Sequence, residues 1–445
     1  MPLCSSALSF FFQQRLFFKR IRQQFGRDTS SARQTSRSRL GLNWIHDKEP
    51  EMSDGLFNDA FFKSLDSSVL DVSQAETLPP ECYTSEAFFE FEKEALFNHE
   101  WLCVGREDWV LNGGDYFTVT HIGEPLIICR TRDGDLKALS AVCQHRAMLV
   151  AEGHGNTRGF MCPYHHWTYA LDGRLSGAPE MGKTCDFSRE DIRLPEIKVE
   201  VWLGFIFVNF DEDAAPLAPR LTEISSALAN YDLVNAEGAM PDAPQSFPWN
   251  WKVMMENNND GYHATRLHQG PLHDFIPSEL ATFPEVPPDS AGYLRFNGTL
   301  HPDAAFNPLQ RAVLPVFPKL TDEERNRAMF ANLPPTLSLV VTSDMVIYLI
   351  LYAESADKHS MSIGYLVAPG AMSEPLFQER LDMNMQSAME ITEQDLHVDE
   401  LVQVGLKSRF AVRGRYSWQE RAQSDLNSWL VGRYQKTWQR LRNAA

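Results

Sequence analysis

The chain has 445 residues, 43% of them hydrophobic and 22% charged, and a net charge of −18 at pH 7. That is an ordinary globular composition, with length for two or three domains and a sizeable core. The acidic balance excludes nucleic acid as the main partner, because phosphate repels such a surface, and the longest apolar run past the N-terminus, Met345–Ala353, is half of what a membrane-spanning helix requires.

Residues 1–45 differ from everything after them. They carry seven Arg and one Lys against one acid, Asp28, which leaves 33 basic and 58 acidic residues, a net near −25, for the remainder. Phe10–Phe12, Phe17 and Phe18 interleave with Arg15, Lys19, Arg20 and Arg22, and a Ser/Arg run follows to Arg39. An Arg-rich, Ser-rich, acid-poor segment has the composition of an organellar transit peptide. The alternative, slightly favoured, is a start set too far upstream, because Met52-Ser-Asp-Gly opens a segment of normal composition. Either way, residues 1–51 are expected to be poorly ordered and outside the chemistry. Of the seven cysteines, Cys4, Cys82, Cys103, Cys129 and Cys185 show no paired spacing, so the chain reads as cytosolic and reduced.

Residues 52–96 read as a helical lead-in. From Thr84 to Leu102, Phe88, Phe89, Phe91, Ala95, Leu96, Phe97 and Trp101 fall mostly on one side of a helical wheel. The pattern then shortens to strands: Asp115–His121, Pro125–Arg130 and Leu136–Val142, later Trp167–Leu171 and Val199–Phe210. Gly113-Gly114, His121–Glu124, Asp133-Gly134 and Asp172-Gly173 supply the turns. A small antiparallel β domain over 97–211 follows, closed by a linker with Pro216 and Pro219.

Two loops of that domain carry chemistry: Cys143-Gln-His145-Arg and Cys162-Pro-Tyr-His165-His166-Trp167. Thiolate and imidazole bind soft and borderline metals. Two Cys and two His suit a Rieske [2Fe–2S] centre, with the cysteines on one iron and the histidines on the other. They also suit a Zn(Cys)2(His)2 site, but zinc fingers usually pair Cys with Cys and His with His. Here each pair mixes the two, so two similar loops can approach from opposite sides. Through C-x-H-R-x15-C-P-Y-H-x-W the chain resembles the Rieske family, which implies Cys143, His145, Cys162 and His165 as cluster ligands.

The second domain, 212–445, opens with a helical run, Leu221–Tyr231, and reaches Asp260-x-x-His263-x4-His268. Two imidazoles and a carboxylate from elsewhere form a 2-His-1-carboxylate triad, which leaves positions open on Fe(II). On a regular helix, positions five apart are separated by about 140°, so the helix must break, widen or end between His263 and His268. A Rieske motif followed after about a hundred residues by this pair resembles the α subunits of Rieske non-haem iron oxygenases, the aromatic ring-hydroxylating dioxygenase type, over roughly Phe97 to Leu406.

The stretch 270–335 reads as irregular. Leu337–Thr342, Met345–Glu354 and Ser360–Pro369 follow as strands of an antiparallel sheet under a pocket that Phe306, Phe317, Phe330, Tyr348 and Tyr352 either line or support as plain core. Glu379–Gly405 is a long helix on which Ile391, Asp395, Val398 and Val402 form one stripe. A carboxylate on a buried stripe is costly unless paired or bound to metal, which selects Asp395 as third iron ligand, with Asp399 as competitor and a buried salt bridge as the bland alternative. The resemblance supports this choice: Glu393-Gln-Asp395 and Val402-Gln-Val-Gly-Leu406 match the family's late helix. Asp260, one helical turn before His263, can bond its imidazole without binding metal. In the family the corresponding acid links the iron histidine to a Rieske histidine of the neighbouring subunit, so Asp260 is implied as the catalytic electron-transfer bridge to His165 in a trimer, with or without β subunits.

The fold class is α+β: a small antiparallel Rieske domain plus a larger helix-and-antiparallel-sheet catalytic domain. The resemblance implies a terminal oxygenase with a [2Fe–2S] cluster and Fe(II). NAD(P)H electrons arrive from a separate reductase, possibly with a ferredoxin, because the chain has no Gly-rich dinucleotide loop after a strand. The expected substrate is a small, aromatic organic molecule; O- or N-demethylation and quaternary-amine oxidation are the alternatives. Two other classes compete, a Rieske electron-transfer protein and a zinc-binding interaction module. Mononuclear iron separates the first from an oxygenase, and a reddish, reducible spectrum excludes the second.

Overall fold

The computed structural model describes residues 57–268, 270 and 272–444. The expectations for residues 1–51 lie outside the described residues. The lead-in holds three short helices, α1 (Asp59–Ser64), α2 (Glu81–Thr84) and α3 (Glu86–Glu92), the last continued by a π-turn over Lys93–Phe97. Phe88, Phe89, Phe91, Leu96 and Phe97 are buried, as the helical spacing predicts. Their partner comes from the other end of the chain. The last helix, Arg421–Ala444, stacks Trp438 on Phe62 at 4.5 Å and sets Tyr434 edge-on to Phe88 at 5.1 Å.

A buried ion pair ties the lead-in to the second domain. Lys252 and Glu92 are both fully buried, with Nζ 2.8 and 2.9 Å from the two carboxylate oxygens. Tyr434 donates its hydroxyl to Glu92 as well. Removing one partner strands the other charge, so Lys252→Met is expected to destabilise the fold by about 3–5 kcal/mol, read as an earlier denaturant midpoint. Lys252→Met combined with Glu92→Leu should recover part of that loss.

The first β domain is a seven-stranded antiparallel sheet. Its members are β1 (Leu102–Arg106), β2 (Asp115–His121), β3 (Glu124–Arg130), β4 (Leu136–Ser140), β5 (His154–Asn156), β9 (Glu196–Trp202) and β10 (Phe205–Asn209), in the order β1-β10-β9-β4-β3-β2-β5. A three-stranded sheet, β6 (Phe160–Met161), β7 (Thr168–Tyr169) and β8 (Leu175–Gly177), sits beside it. The run Val199–Phe210 is not one strand, as its sequence suggests, but a hairpin. Leu203 and Gly204 both take positive φ, and Trp202 pairs with Phe205. A two-residue turn of this hand follows the twist of its strands and leaves little mark in an apolar run.

The second domain opens with α4 (Thr222–Leu228) and α5 (Trp251–Asn259) around a second seven-stranded antiparallel sheet. Its order is β11 (Gln245–Phe247), β17 (Lys358–Leu366), β16 (Val346–Ser355), β15 (Leu337–Val341), β14 (Arg327–Leu333), β13 (Tyr293–Gly298), β12 (Ala281–Thr282). The stretch 270–335, read as irregular, therefore contains three strands. Its β13 and β14 bury Arg295, Asn297 and Asn332, and polar groups on a buried face erase the alternation by which a strand is recognised. Helices α6 (Phe377–Leu406) and α7 (Arg421–Ala444) complete the domain.

The stripe read along α6 is also corrected. Ile391 and Asp395 are buried, but the buried face continues through Leu396, Asp399 and Gln403, while Val402 is 42% exposed. Polar anchors set this rotation: Gln403 donates to the Tyr83 carbonyl and accepts from the Asn250 N–H. Among the described residues, no helix is long and apolar enough to cross a membrane.

Candidate metal centres

The two Cys-His loops are built alike. The Cys143 N–H donates to the Met148 carbonyl at 2.9 Å and the Ala147 N–H to the Cys143 carbonyl at 3.0 Å. In the second loop, the Cys162 N–H donates to Trp167 at 2.8 Å and the His166 N–H to Cys162 at 3.0 Å. Ala147 and His166 both take positive φ. Each loop thus turns its cysteine inward and its histidine outward: Cys143 and Cys162 are buried, His145 is half-buried and His165 exposed. The two imidazole centroids lie 4.6 Å apart. His145 is backed by Trp167, stacked at 4.7 Å.

Tyr169 closes the inner side, with its hydroxyl 3.3 Å from Cys143 Sγ while accepting the Gln144 N–H at 3.0 Å. This donor set fits a binuclear cluster better than one zinc. Zinc needs four ligand atoms within about 2.3 Å of a point, whereas among the described residues the group of His, Cys, Asp or Glu with ligand atoms all within 4.8 Å of one another is His263, His268 and Asp395.

That trio forms below α5. The helix ends at Asn259, earlier than the expected break between the histidines, and Asp260 is extended, with φ −82° and ψ 113°. Asp260 therefore reaches His263 across a turn and not along a helix. His263 opens a 3-10 turn and the chain doubles back to His268. The two Nε2 atoms lie 3.1 Å apart, and Asp395 Oδ1 is 2.8 Å from that of His268 and 3.3 Å from that of His263.

Each imidazole is held from behind at Nδ1. For His268 the partner is the Gln394 side-chain oxygen at 2.8 Å. For His263 it is Asp260 Oδ2 at 2.9 Å, within ion-pair distance but off the line of a good hydrogen bond. Asp260 Oδ1 also accepts the Tyr262 N–H at 2.6 Å. Asn257 donates to Asp395 Oδ1 at 3.3 Å.

Three ligand atoms at such spacing suit a cation. The charge balance agrees. Burial opposes an imidazolium at His263, but Asp260 and Asp395 outweigh it and lift its pKa to about 10. Burial likewise opposes the Asp395 carboxylate, and the two histidines outweigh that, holding its pKa below the usual value. A divalent ion would take the place of this proton. Asp399, the competitor, is buried one turn further along α6. Burial and the neighbouring Asp395 push its pKa well up, and its Oδ2 has no hydrogen-bond partner among the described residues.

A cavity of about 110 Å³ opens on the trio, its walls including Leu272, Ile276, Phe306, Phe330, Ile347 and Met385. Of the five aromatic residues considered for a pocket, Phe306 and Phe330 line it. Phe317 and Tyr348 lie in a core cluster on the other side of the sheet, and Tyr352 packs on His121 at 4.8 Å. Gln394 and Asn257 were missed in the sequence. Gln394 could have been suspected from standing between Glu393 and Asp395, but nothing marks Asn257 within the run Asn257–Asn259. Among the described residues, no hydrogen bond or ion pair joins His145 or His165 to this trio or to Asp260.

Two family profiles match the chain: "Rieske [2Fe-2S] domain" over residues 100–198 and "Ring hydroxylating alpha subunit (catalytic domain)" over residues 228–436. The carnitine monooxygenase oxygenase subunit of Acinetobacter pittii is 36% identical over 202 residues, 44% of this chain and 53% of that protein. The large oxygenase component of salicylate 5-hydroxylase from a Ralstonia species is 37% identical over 42% of this chain and 47% of its own. The matched part thus spans about half the length of these curated relatives. A quaternary ammonium Rieske monooxygenase structure superposes with a TM-score of 0.70 at 25% identity, covering 85% of this chain and 99% of its own. Naphthalene 1,2-dioxygenase from a Rhodococcus species shares the fold, with a TM-score of 0.72 at 19% identity over 85% of this chain and 99% of its own. The chain belongs to the Rieske-type ring-hydroxylating oxygenase alpha-subunit family, with a [2Fe–2S] domain ahead of a mononuclear iron domain.

Proposed function

We propose that the chain is the terminal oxygenase component of a multicomponent system that inserts oxygen from O2 into a small organic substrate, by hydroxylation or by oxidative demethylation. The observation that carries this is the convergence of His263, His268 and Asp395 at the floor of an apolar cavity. In this reading Cys143, His145, Cys162 and His165 hold the cluster within a domain of 97–211. His263, His268 and Asp395 hold iron within 212–445, and Asp260 is the bridge between centres. When bound, the cluster supplies single electrons and the iron supplies open positions for O2.

The chain's own residues do the rest. Asp260 and Gln394 fix the two imidazoles from behind. Leu272, Ile276, Phe306 and Phe330 keep water from the reacting face. A separate NAD(P)H-dependent reductase, with or without a ferredoxin, supplies the electrons.

Asp260 receives His165 of a neighbouring subunit in a trimer. Two observations support this: His165 is exposed at a loop tip with Met148, Met161 and Tyr164, and Tyr262 beside Asp260 is also exposed. Five of the cysteines are buried and unpaired, which suits the cytoplasm.

The test is purified protein with a reductase and labelled O2. The proposal requires about three irons per chain, two of them in the cluster, and labelled product. Iron present only as clusters would leave an electron-transfer protein. Tyr169 offers a finer check. Its hydroxyl bonds Cys143 Sγ, and such bonds raise a cluster's potential. Tyr169→Phe is expected to lower the midpoint by roughly 40 mV, the one-electron equivalent of a hydrogen bond worth about 1 kcal/mol, measured by voltammetry.

A further inference from the structure

One charged group in the cavity neither holds iron nor bridges the two centres. Arg295 lies on β13, where alternation puts Tyr293, Arg295 and Asn297 on the face toward α5. It is 4% exposed, lines the cavity, and pairs across the sheet with Phe330, over whose ring its guanidinium sits at 4.2 Å. The bonds it makes are weak: Nε to the Asn259 side-chain oxygen at 3.2 Å and one terminal nitrogen to that of Asn297 at 3.4 Å. Among the described residues it forms no ion pair within 4.0 Å. Burial lowers its pKa to about 10, and the acid that offsets this, Asp260, already faces His263.

A buried cation without an anionic partner is costly. A guanidinium fork with free N–H groups beside an apolar cavity is shaped to take a carboxylate. The same cavity is badly suited to a quaternary ammonium group. Such ligands are held by free aromatic faces, but here the Phe330 face is covered by Arg295 and Phe306 is engaged edge-on with Phe275 at 5.9 Å. A cationic head would meet the guanidinium as a like charge.

We propose that Arg295 anchors a substrate carboxylate, so that the pocket takes small carboxylic acids with an apolar body and rejects quaternary ammonium compounds. This rests on the oxygenase reading only for the word substrate; binding is measured without O2 or reductase, so it stands or falls apart from turnover. The probes are benzoate, benzamide and phenyltrimethylammonium, titrated calorimetrically into the metal-loaded protein.

Benzoate should bind roughly ten- to a hundredfold more tightly than benzamide, the span of a charge-assisted contact, and phenyltrimethylammonium most weakly. Arg295→Gln should bring the benzoate-to-benzamide ratio close to one with cluster spectrum and iron content unchanged, and Arg295→Lys should restore part of it. A merely structural Arg295 would lower iron content or melting temperature in Arg295→Gln and leave the ratio alone, which overturns the proposal. So does a native protein without preference for the carboxylate, or one that prefers phenyltrimethylammonium.

Discussion

Asp395→Ala is expected to empty the mononuclear site while leaving the [2Fe–2S] spectrum intact. Asp395 Oδ1 is the one carboxylate atom among the described residues that touches both inward imidazole nitrogens, at 2.8 and 3.3 Å. Alanine leaves two imidazoles and no charged ligand, a set that binds Fe(II) weakly. Changing an outer partner of a metal ligand typically costs 10–100-fold in affinity, and removing a charged ligand costs more. Iron content per chain should therefore fall by about one, to the amount the cluster holds, and turnover should vanish. The cluster loops share no ion pair or hydrogen bond with Asp395 among the described residues, so their spectrum should not follow. Retained mononuclear iron would move the third ligand to Asp399, one turn along α6 and equally buried.

Residues that carry chemistry left a clearer trace in the sequence than residues that only carry backbone. The two Cys-His loops and the His263, His268 and Asp395 trio stand out in the sequence because few residue types are able to bind metal. The structure brings that trio together within 4.8 Å. Strands β2 to β4 are visible as well, as short runs bounded by Gly-containing turns.

What could not be read has physical causes. The β9–β10 hairpin turns in two residues inside an apolar run. Strands β13 and β14 hide because Arg295, Asn297 and Asn332 sit on a buried face, where polar groups erase the apolar alternation. The rotation of α6 after Asp395 depends on Gln403 reaching Tyr83 and Asn250, residues far away in sequence. The end of α5 at Asn259 falls in Asn257-Asn-Asn-Asp260-Gly261, a run of weak helix formers, so the stop is legible there ahead of the two histidines. Gln394 on His268 and Arg295 over Phe330 are pairings across 126 and 35 positions that no local pattern contains.

Asp260→Asn should separate metal binding from electron delivery. Asp260 touches no inward-facing atom of the trio; its contacts are His263 Nδ1 at 2.9 Å and the Tyr262 N–H at 2.6 Å. Asparagine keeps the size and one acceptor oxygen, so the turn after α5 survives and both centres should load to near-native content. The charge is lost, and with it the group that orients His263 and could hold a second imidazole. The rear partner alone sets an effect of up to about a hundredfold on turnover. Loss of a bridge between donor and acceptor histidines should reach or exceed that figure.

Two further measurements identify the cause. Reduction of the cluster by the reductase should proceed at the native rate, because His145 and His165 have no contact with Asp260 within one chain among the described residues. Oxidation of the reduced cluster by O2 in the presence of substrate should slow by the same factor as turnover. If both centres load and Asp260→Asn turns over at the native rate, electrons do not pass Asp260, and its contact with His263 only steadies the fold. If mononuclear iron is lost along with turnover, Asp260 serves the metal site and the route between centres lies elsewhere.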